Sequence, residues 1–357
     1  MTAPRWWYND RGEACEELRT PGGIHFRVHG DREKATCRAI FLQGVAASLD
    51  NNRFLLKALA RHTGAGIDED ICVVTPDTVG IGQSVVPPDA AEYTISRMAR
   101  DANDVVEAAG WGAARVHVVG HSMGGMVAME FSCLFPERVA SLVLLSTTAH
   151  RRAVDFFPSA AAVPDGARFL LRAATRSSGA TPEDRVRLDL AMHFAPSYFR
   201  GALTAEERED LGVDARKTDR GLRDERRQGW HTFYLSVGNA ESERQDPAAL
   251  KYTMRAACRW RLSRAGLRAL RRHRVLVVHG RGDLVIRASC ARHLYGLLAE
   301  DRSGLCAPRG DAPDAANGDK HLRILPRAAH MVTSSHSARL ASEILDFWSR
   351  GPELYVC

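Results

Sequence analysis

In this 357-residue chain, Gly120-His121-Ser122-Met123-Gly124, followed by Gly125, is the stretch whose residue types and spacing could do chemistry. A serine between two glycines is a weak signal by itself, and its setting is what strengthens it. The stretch directly follows an apolar run at 115–120 (RVHVVG) that reads as a buried strand. It directly opens a helical pattern over 124–135 that ends near Pro136. A strand-to-helix turn this tight leaves no space for flanking side chains, hence glycine on both sides, and it projects the hydroxyl from the sheet's edge. The Met123 amide would stand at a helix N-terminus, where partial positive charge and unpaired N–H groups suit a developing oxyanion. Such a serine attacks carbonyl carbon. Its hydroxyl is a weak nucleophile, so it needs a base within hydrogen-bonding reach and a carboxylate that orients the base. His121, beside the serine, is expected to pack or brace rather than to act as that base.

The elements around this turn follow from apolar spacing. Residues 24–28 (IHFRV) alternate with period two. Buried-strand runs stand at 38–43 (RAIFLQ), 71–75 (ICVVT, stopped by Pro76) and 141–146 (SLVLLS). Between them, Phe54, Leu55, Ala58 and Leu59 repeat at helical spacing. Thr94 can cap a helix whose apolar face is Ile95, Met98, Ala102, Val105 and Val106. The pattern resumes at 275–279 (VLVVH) and 322–325 (LRIL), and a final amphipathic helix follows over about 338–348. Strands that alternate with helices and are continuously apolar predict a mostly parallel sheet covered by helices on both faces. Residues 149–271 differ. They hold many charges, no convincing strand, and helical patches at 167–175 and 183–193, so they read as a helical cap inserted into the core. The expected organisation is core at 1–148, cap at 149–271 and core again at 272–357. Residues 301–320, rich in Gly, Pro, Asp and Ala, are expected to be a mobile surface loop.

Composition excludes several classes. With 45% hydrophobic and 26% charged residues the chain is globular, and no apolar run reaches the about 20 residues of a membrane helix. The net charge of +6 comes from 49 basic residues, only five of them lysine, set against 43 acids. No basic tract reaches the length of a nucleic-acid-binding run, so no nucleic-acid partner is expected. The eight cysteines are scattered without a C-x-x-C pair, which suggests neither a metal framework nor a disulfide scaffold; no metal and no cofactor are expected. The first residues, MTAPRWWYNDRGEACEE, lack an apolar segment and contain acids. They read as neither a signal nor a transit peptide, and a reducing, cytoplasmic compartment is the expectation. Phosphate-loop, dinucleotide and H-E-x-x-H motifs are missing.

The stretches FLQGVAAS (41–48), DTVGIGQS (77–84), the segment 93–125 ending in GHSMGG, PERVASLVLLSTT (136–148), VLVVHGRGDLVI (275–286) and LPRAAHM (325–331) together resemble the α/β-hydrolase superfamily. Within it they resemble the esterase, methylesterase and haloperoxidase-like branch. The resemblance implies Ser122 as nucleophile, Asp283 in HGRGDLV as the acid and His330 in RAAHM as the base, in the chain order of that fold. His321 and His336 stand near the same strand as His330, and Asp301, Asp311 and Asp314 are rivals of Asp283. The oxyanion donors implied are the amides of Met123 and Val45. The family usually has His-Gly where Gln43-Gly44 stand here, a change that backbone donors tolerate. The loop 77–84, with Val79 where an arginine is common, is expected to brace the oxyanion loop. A serine at 122, where dehalogenase and epoxide-hydrolase relatives carry aspartate, argues against both chemistries.

Trp230, His231, Phe233 and Tyr234 lie in the cap segment, either lining a substrate pocket or forming cap core. The implied activity is hydrolysis of a carboxylic ester, of a small or lipid-like substrate, through an acyl-enzyme. A thioester, a lactone or a C–C bond suits the same triad, and a non-catalytic binder of small molecules suits the same fold.

Overall fold

Side-chain alternation builds the sheet and decides which helix covers which face. In β3 (Cys37–Leu42), Ala39 and Phe41 join one core cluster, and Ile40 and Leu42 join the other. In β6 (Val139–Leu145), Val143 and Leu145 take the first side, and Leu142 and Leu144 take the second. The strands β4 (Ile71–Pro76), β5 (Val116–His121) and β7 (Val275–Gly280) are apolar on both faces, as strands covered by helices on both sides must be. Helices α1 (Arg53–Thr63) and α10 (Ser337–Ser349) cover one face. Helices α2 (Ile95–Ala108), α3 (Met123–Leu134) and α9 (Ala288–Ala299) cover the other. Thr94 caps α2 as expected, its hydroxyl accepting from the Arg97 amide at 3.0 Å. These elements come from a computed structural model that describes residues 15–63, 71–149, 181–200, 203–211, 225–244, 246–299, 314–317 and 319–349.

With β1 (Glu16–Arg19), β2 (His25–His29), β8 (Asp314–Asn317) and β9 (Lys320–Leu325), the described strands form one nine-stranded sheet in the order β1-β2-β4-β3-β5-β6-β7-β9-β8. The six from β4 to β9 run parallel, while β1, β2 and β8 pair antiparallel at the edges. The register aligns the strand ends that matter. Leu42 pairs with Gly120, His121 with Leu145, Leu145 with Val278, and Gly280 with Leu325. The loops that follow β3, β5, β7 and β9 therefore leave a common edge, the carboxyl end of a parallel sheet, where ligand sites of open α/β sheets gather.

Two strands lacked a sequence signal. β1 (Glu16–Arg19, EELR) is nearly all charged, and β8 (Asp314–Asn317, DAAN) falls inside the stretch expected to be a loop. The expectation of a loop over 301–320 is corrected there, since 314–317 pair with β9 and Lys320 belongs to β9. Edge strands are ordered by their neighbours' backbone groups, so they need no apolar alternation of their own. Residues 300–313 and the helical patch at 167–175 lie outside the described residues.

Within 181–271 the described elements are all helical: α4 (Pro182–His193), α5 (Ala205–Leu211), α6 (Glu225–Arg244), α7 (Pro247–Arg259) and α8 (Arg264–Leu270). They divide by the core they join. α7 and α8 bury Ala249, Ala257 and Leu270 with the sheet. α4, α5 and α6 form a separate aromatic cluster with Phe194, Tyr198, Trp230 and Phe233, which reaches the core through Phe54 and Met331. No helix among the described residues is long and apolar enough to cross a membrane.

Candidate active site

The turn between β5 and α3 holds Ser122 at φ 55, ψ −117, a backbone conformation rare for a residue with a side chain. Such strain persists only where surroundings over-determine it. Here they do. The Ser122 amide donates to the Leu145 carbonyl at 2.9 Å, and its carbonyl accepts from the Gly125 amide at 3.0 Å and the Thr147 hydroxyl at 2.7 Å. The glycines are sterically required. A Cβ on Gly120 would stand 2.3 Å from the Gly124 carbonyl oxygen, and one on Gly124 would stand 2.1 Å from that of Leu42. Met123 opens the helix, so its amide has no intrahelical acceptor.

The loop after β3 closes over this turn. Gly44 packs so closely that a Cβ there would lie 3.3 Å from Ser122 Cβ and 3.7 Å from its Oγ. Val45 follows directly, and Ala46 takes a positive φ of 64 that turns the loop. Buried polar groups brace the loop from beneath. Asp77 Oδ1 accepts from the Leu49 amide at 2.8 Å, and Oδ2 accepts from the Gln83 amide at 3.0 Å and meets His25 Nδ1 at 2.9 Å. Arg27 pairs with Asp50 at 2.6 Å and Glu17 at 2.9 Å. The bracing role expected of the 77–84 loop is thereby visible in its hydrogen bonds. The buried Arg27 pairs carried no sequence signal, because Glu17, Arg27 and Asp50 sit on separate segments.

Asp283 follows β7 and His330 follows β9. His330 Nδ1 donates to Asp283 Oδ2 at 2.8 Å, and both side chains are buried. The other oxygen, Oδ1, accepts from the amides of Val285 and Ile286, each at 2.8 Å, which fixes the carboxylate's plane. His279, fully buried on β7, adds Nε2 at 3.1 Å from Oδ2 while donating to the Ile286 carbonyl at 2.7 Å. Burial works against the Asp283 charge, but His330 and His279 outweigh it and hold the carboxyl well below the usual carboxylate range.

Two more imidazoles lie against His330. His121 has its ring centroid 5.0 Å away and donates Nε2–H to the His330 carbonyl at 3.0 Å. His193, the last residue of α4, stacks at 5.7 Å with 28° between the planes. Burial first, then the charge His330 would carry when protonated, pushes both down to about 3. His121 and His193 therefore stay neutral beside it.

The structure thus joins Asp283 to His330 directly and brings Ser122 to them through its neighbour His121. Among the described residues the Ser122 hydroxyl makes no hydrogen bond, a looseness common in ligand-free sites. The rivals lie elsewhere: His321 packs on Phe347, and His336 is bonded to Ser335. Asp314 is in the edge strand β8, and Asp301 and Asp311 lie outside the described residues. Trp230 is buried inside the aromatic cluster, 4.9 Å from Phe54 and 4.8 Å from Phe194. Tyr234 sits at that cluster's margin, 6.0 Å from Phe194, and His231 is partly buried on the same helix. Sequence reasoning missed His193 and His279. His279 stands four residues before Asp283, a spacing that could have flagged it; nothing in the sequence links His193 to His330.

Known proteins share this fold. The chain is 46% identical over 74 residues to a serine hydrolase-like protein of Danio rerio, a match covering 21% of this chain and 22% of that one. Its matches span less than half the length of the curated relatives. The enol-lactonase from Burkholderia xenovorans LB400 superposes with a TM-score of 0.61 at 17% identity, over 94% of this chain and 100% of that one. A thermophilic esterase from Thermogutta terrifontis superposes with a TM-score of 0.58 at 18% identity, over 94% and 98%. The family model described as alpha/beta hydrolase fold matches residues 40–300, so the chain belongs to the α/β-hydrolase family.

Proposed function

We propose that this α/β hydrolase is a serine hydrolase that cleaves a carboxylic ester, or a related acyl bond, through an acyl-enzyme. The observation that carries the reading is the buried Asp283–His330 pair at 2.8 Å beside a serine held in a strained strand-to-helix turn. In this reading His330 Nε2 takes the Ser122 proton as Oγ attacks the carbonyl carbon. The tetrahedral oxyanion is held by the amides of Met123 and Val45. His330 then gives its proton to the leaving alcohol, which departs and leaves an ester on Ser122. Water, deprotonated by His330, attacks that ester and releases the acid. Asp283 stays ionised throughout, which keeps the His330 proton on Nδ1 and stabilises the imidazolium. Neighbours named as an esterase and an enol-lactonase suit cleavage of an acyl–oxygen bond. The aromatic cap, with Trp230 at its centre and Tyr234 and His231 on the same helix, is the apolar wall we assign to the substrate's hydrocarbon part.

The test compares wild type with Ser122→Ala. A fluorophosphonate probe is expected to label only wild type. Hydrolysis of nitrophenyl esters is expected to fall by several orders of magnitude in the variant while the fold survives. Near-normal hydrolysis by a clean Ser122→Ala sample would overturn the mechanism. A series of esters of rising chain length measures how long an acyl chain the enzyme accepts.

A further inference from the structure

We propose that His193 is a positioning residue through which the cap holds His330 in register with Ser122. The inference rests on the reading of His330 as the catalytic base. Two contacts made by the same residue carry it. The His193 ring stacks on His330, with centroids 5.7 Å apart and 28° between the planes. The His193 carbonyl accepts a hydrogen bond from the amide of Met331, the residue next to His330, at 3.0 Å.

Each contact supplies something Asp283 does not. The bond from Nδ1 to Asp283 fixes one point of the imidazole and leaves the ring free to pivot about it. A stacked ring restricts the pivot and thereby aims Nε2. The Met331 bond fixes the backbone of the loop that carries His330. It also satisfies one of the carbonyls that the end of a helix leaves without an intrahelical donor, since α4 terminates at His193. The negative end of the twelve-residue α4 thus lies against the one group that turns cationic in each cycle, and a helix C-terminus favours a cation. His193 itself stays neutral beside that cation, pushed down to about 3, so the stack is attractive rather than a clash of like charges. The anchor continues into the cap. Ala195 packs near Gly282, one residue before Asp283, and Tyr198 lies 6.2 Å from His336. The cap therefore grips both loops of the acid–base pair, and seating it on the core also completes the pair's alignment.

The experiment uses the full chain, with His193→Ala, His193→Phe and His330→Ala beside wild type. One readout is the rate of labelling by a fluorophosphonate. The other is the far-downfield proton resonance of His330 Nδ1–H, identified by its loss in His330→Ala. His193→Ala is expected to label up to about 100-fold more slowly, the size of loss that misplacing a catalytic group produces, and to broaden the resonance. His193→Phe, which keeps a flat ring and the backbone carbonyl, is expected to restore both. A wild-type rate and an unchanged resonance in His193→Ala overturn the inference, as does a folded His193→Phe that is as slow as His193→Ala. Should His193→Ala unfold, His193→Leu, bulky but without a flat ring, takes its place with the same expectations. If His330→Ala labels as fast as wild type, the reading of the base itself falls. If His330→Ala is inert and His193→Ala is unaffected, only the positioning role falls. If wild type does not react, the resonance alone decides the positioning.

Discussion

Ser122 and His330 leave the same edge of the sheet, but one is held by its own neighbours in the chain and the other by residues gathered from distant segments. The turn at Ser122 is a strand, one residue and a helix, with Gly120 and Gly124 allowing backbones to meet where a Cβ would collide. His330 sits in a short loop whose local sequence says little about where its ring points. Its partners Asp283 and His121 are 47 and 209 residues away, and His193 comes from the end of α4. Local geometry is cheap to specify because the chain itself supplies the proximity. The second kind depends on the sheet register and on the packing of α4, so it should be the more easily disturbed half of the site.

The sharpest way to test this contrast is Asp283→Asn. The amide can no longer hold the His330 proton on Nδ1, and ester hydrolysis is expected to fall by about 10⁴-fold, as loss of the orienting carboxylate does in serine-protease triads, while the turn at Ser122 is untouched. A loss of less than tenfold would show that His279 and His193 suffice to hold His330.

Acid is expected to act on the same half. In the folded chain His121 and His193 resist protonation down to about 3, whereas in the unfolded chain histidine takes a proton below about 6.5. The unfolded state binds more protons between those values, so stability falls as pH drops through that window. Asp283 has the same sign lower down. Its folded value lies below the unfolded one, so its contribution is complete above about pH 4 and is lost beneath it. The urea midpoint is expected to decline from about pH 7 to about pH 5; a constant midpoint would mean that these rings are not buried neutral.

The turn itself is challenged by Gly124→Ala. Its Cβ would meet the Leu42 carbonyl oxygen at 2.1 Å, a backbone atom that cannot swing aside. The expected cost is at least about 1–3 kcal/mol in urea unfolding, with loss of fluorophosphonate labelling, because β3 and the loop bearing Val45 must move. A stable and reactive variant would show that the turn has slack. The smallest effect is expected from Thr147→Val, which removes the 2.7 Å hydrogen bond to the Ser122 carbonyl and keeps the shape. About 1 kcal/mol of stability should go, with labelling close to wild type, since the Gly125 amide still holds that carbonyl.

Much of the sheet was legible because buried parallel strands are apolar without interruption and the helices between them carry one apolar face. β1 and β8 were not, since edge strands take their order from a neighbour's ladder. Of the candidate site, Ser122 and Met123 were legible from a contiguous pattern, and Asp283, His330 and Val45 only by resemblance to a family. His279 and His193 were invisible, because their meaning is a distance to residues elsewhere in the chain.

The amino-acid sequence by itself determined the period-two strands, the capped helices and the glycine-flanked serine, all products of interactions within a few residues. Only the tertiary structure decided that two neutral imidazoles lie against His330, that His279 shares the Asp283 carboxylate, and that α4 ends on the Met331 amide. Those contacts are set by sheet register and by the burial of an aromatic cluster, and both arise only when segments far apart in the chain exclude water together.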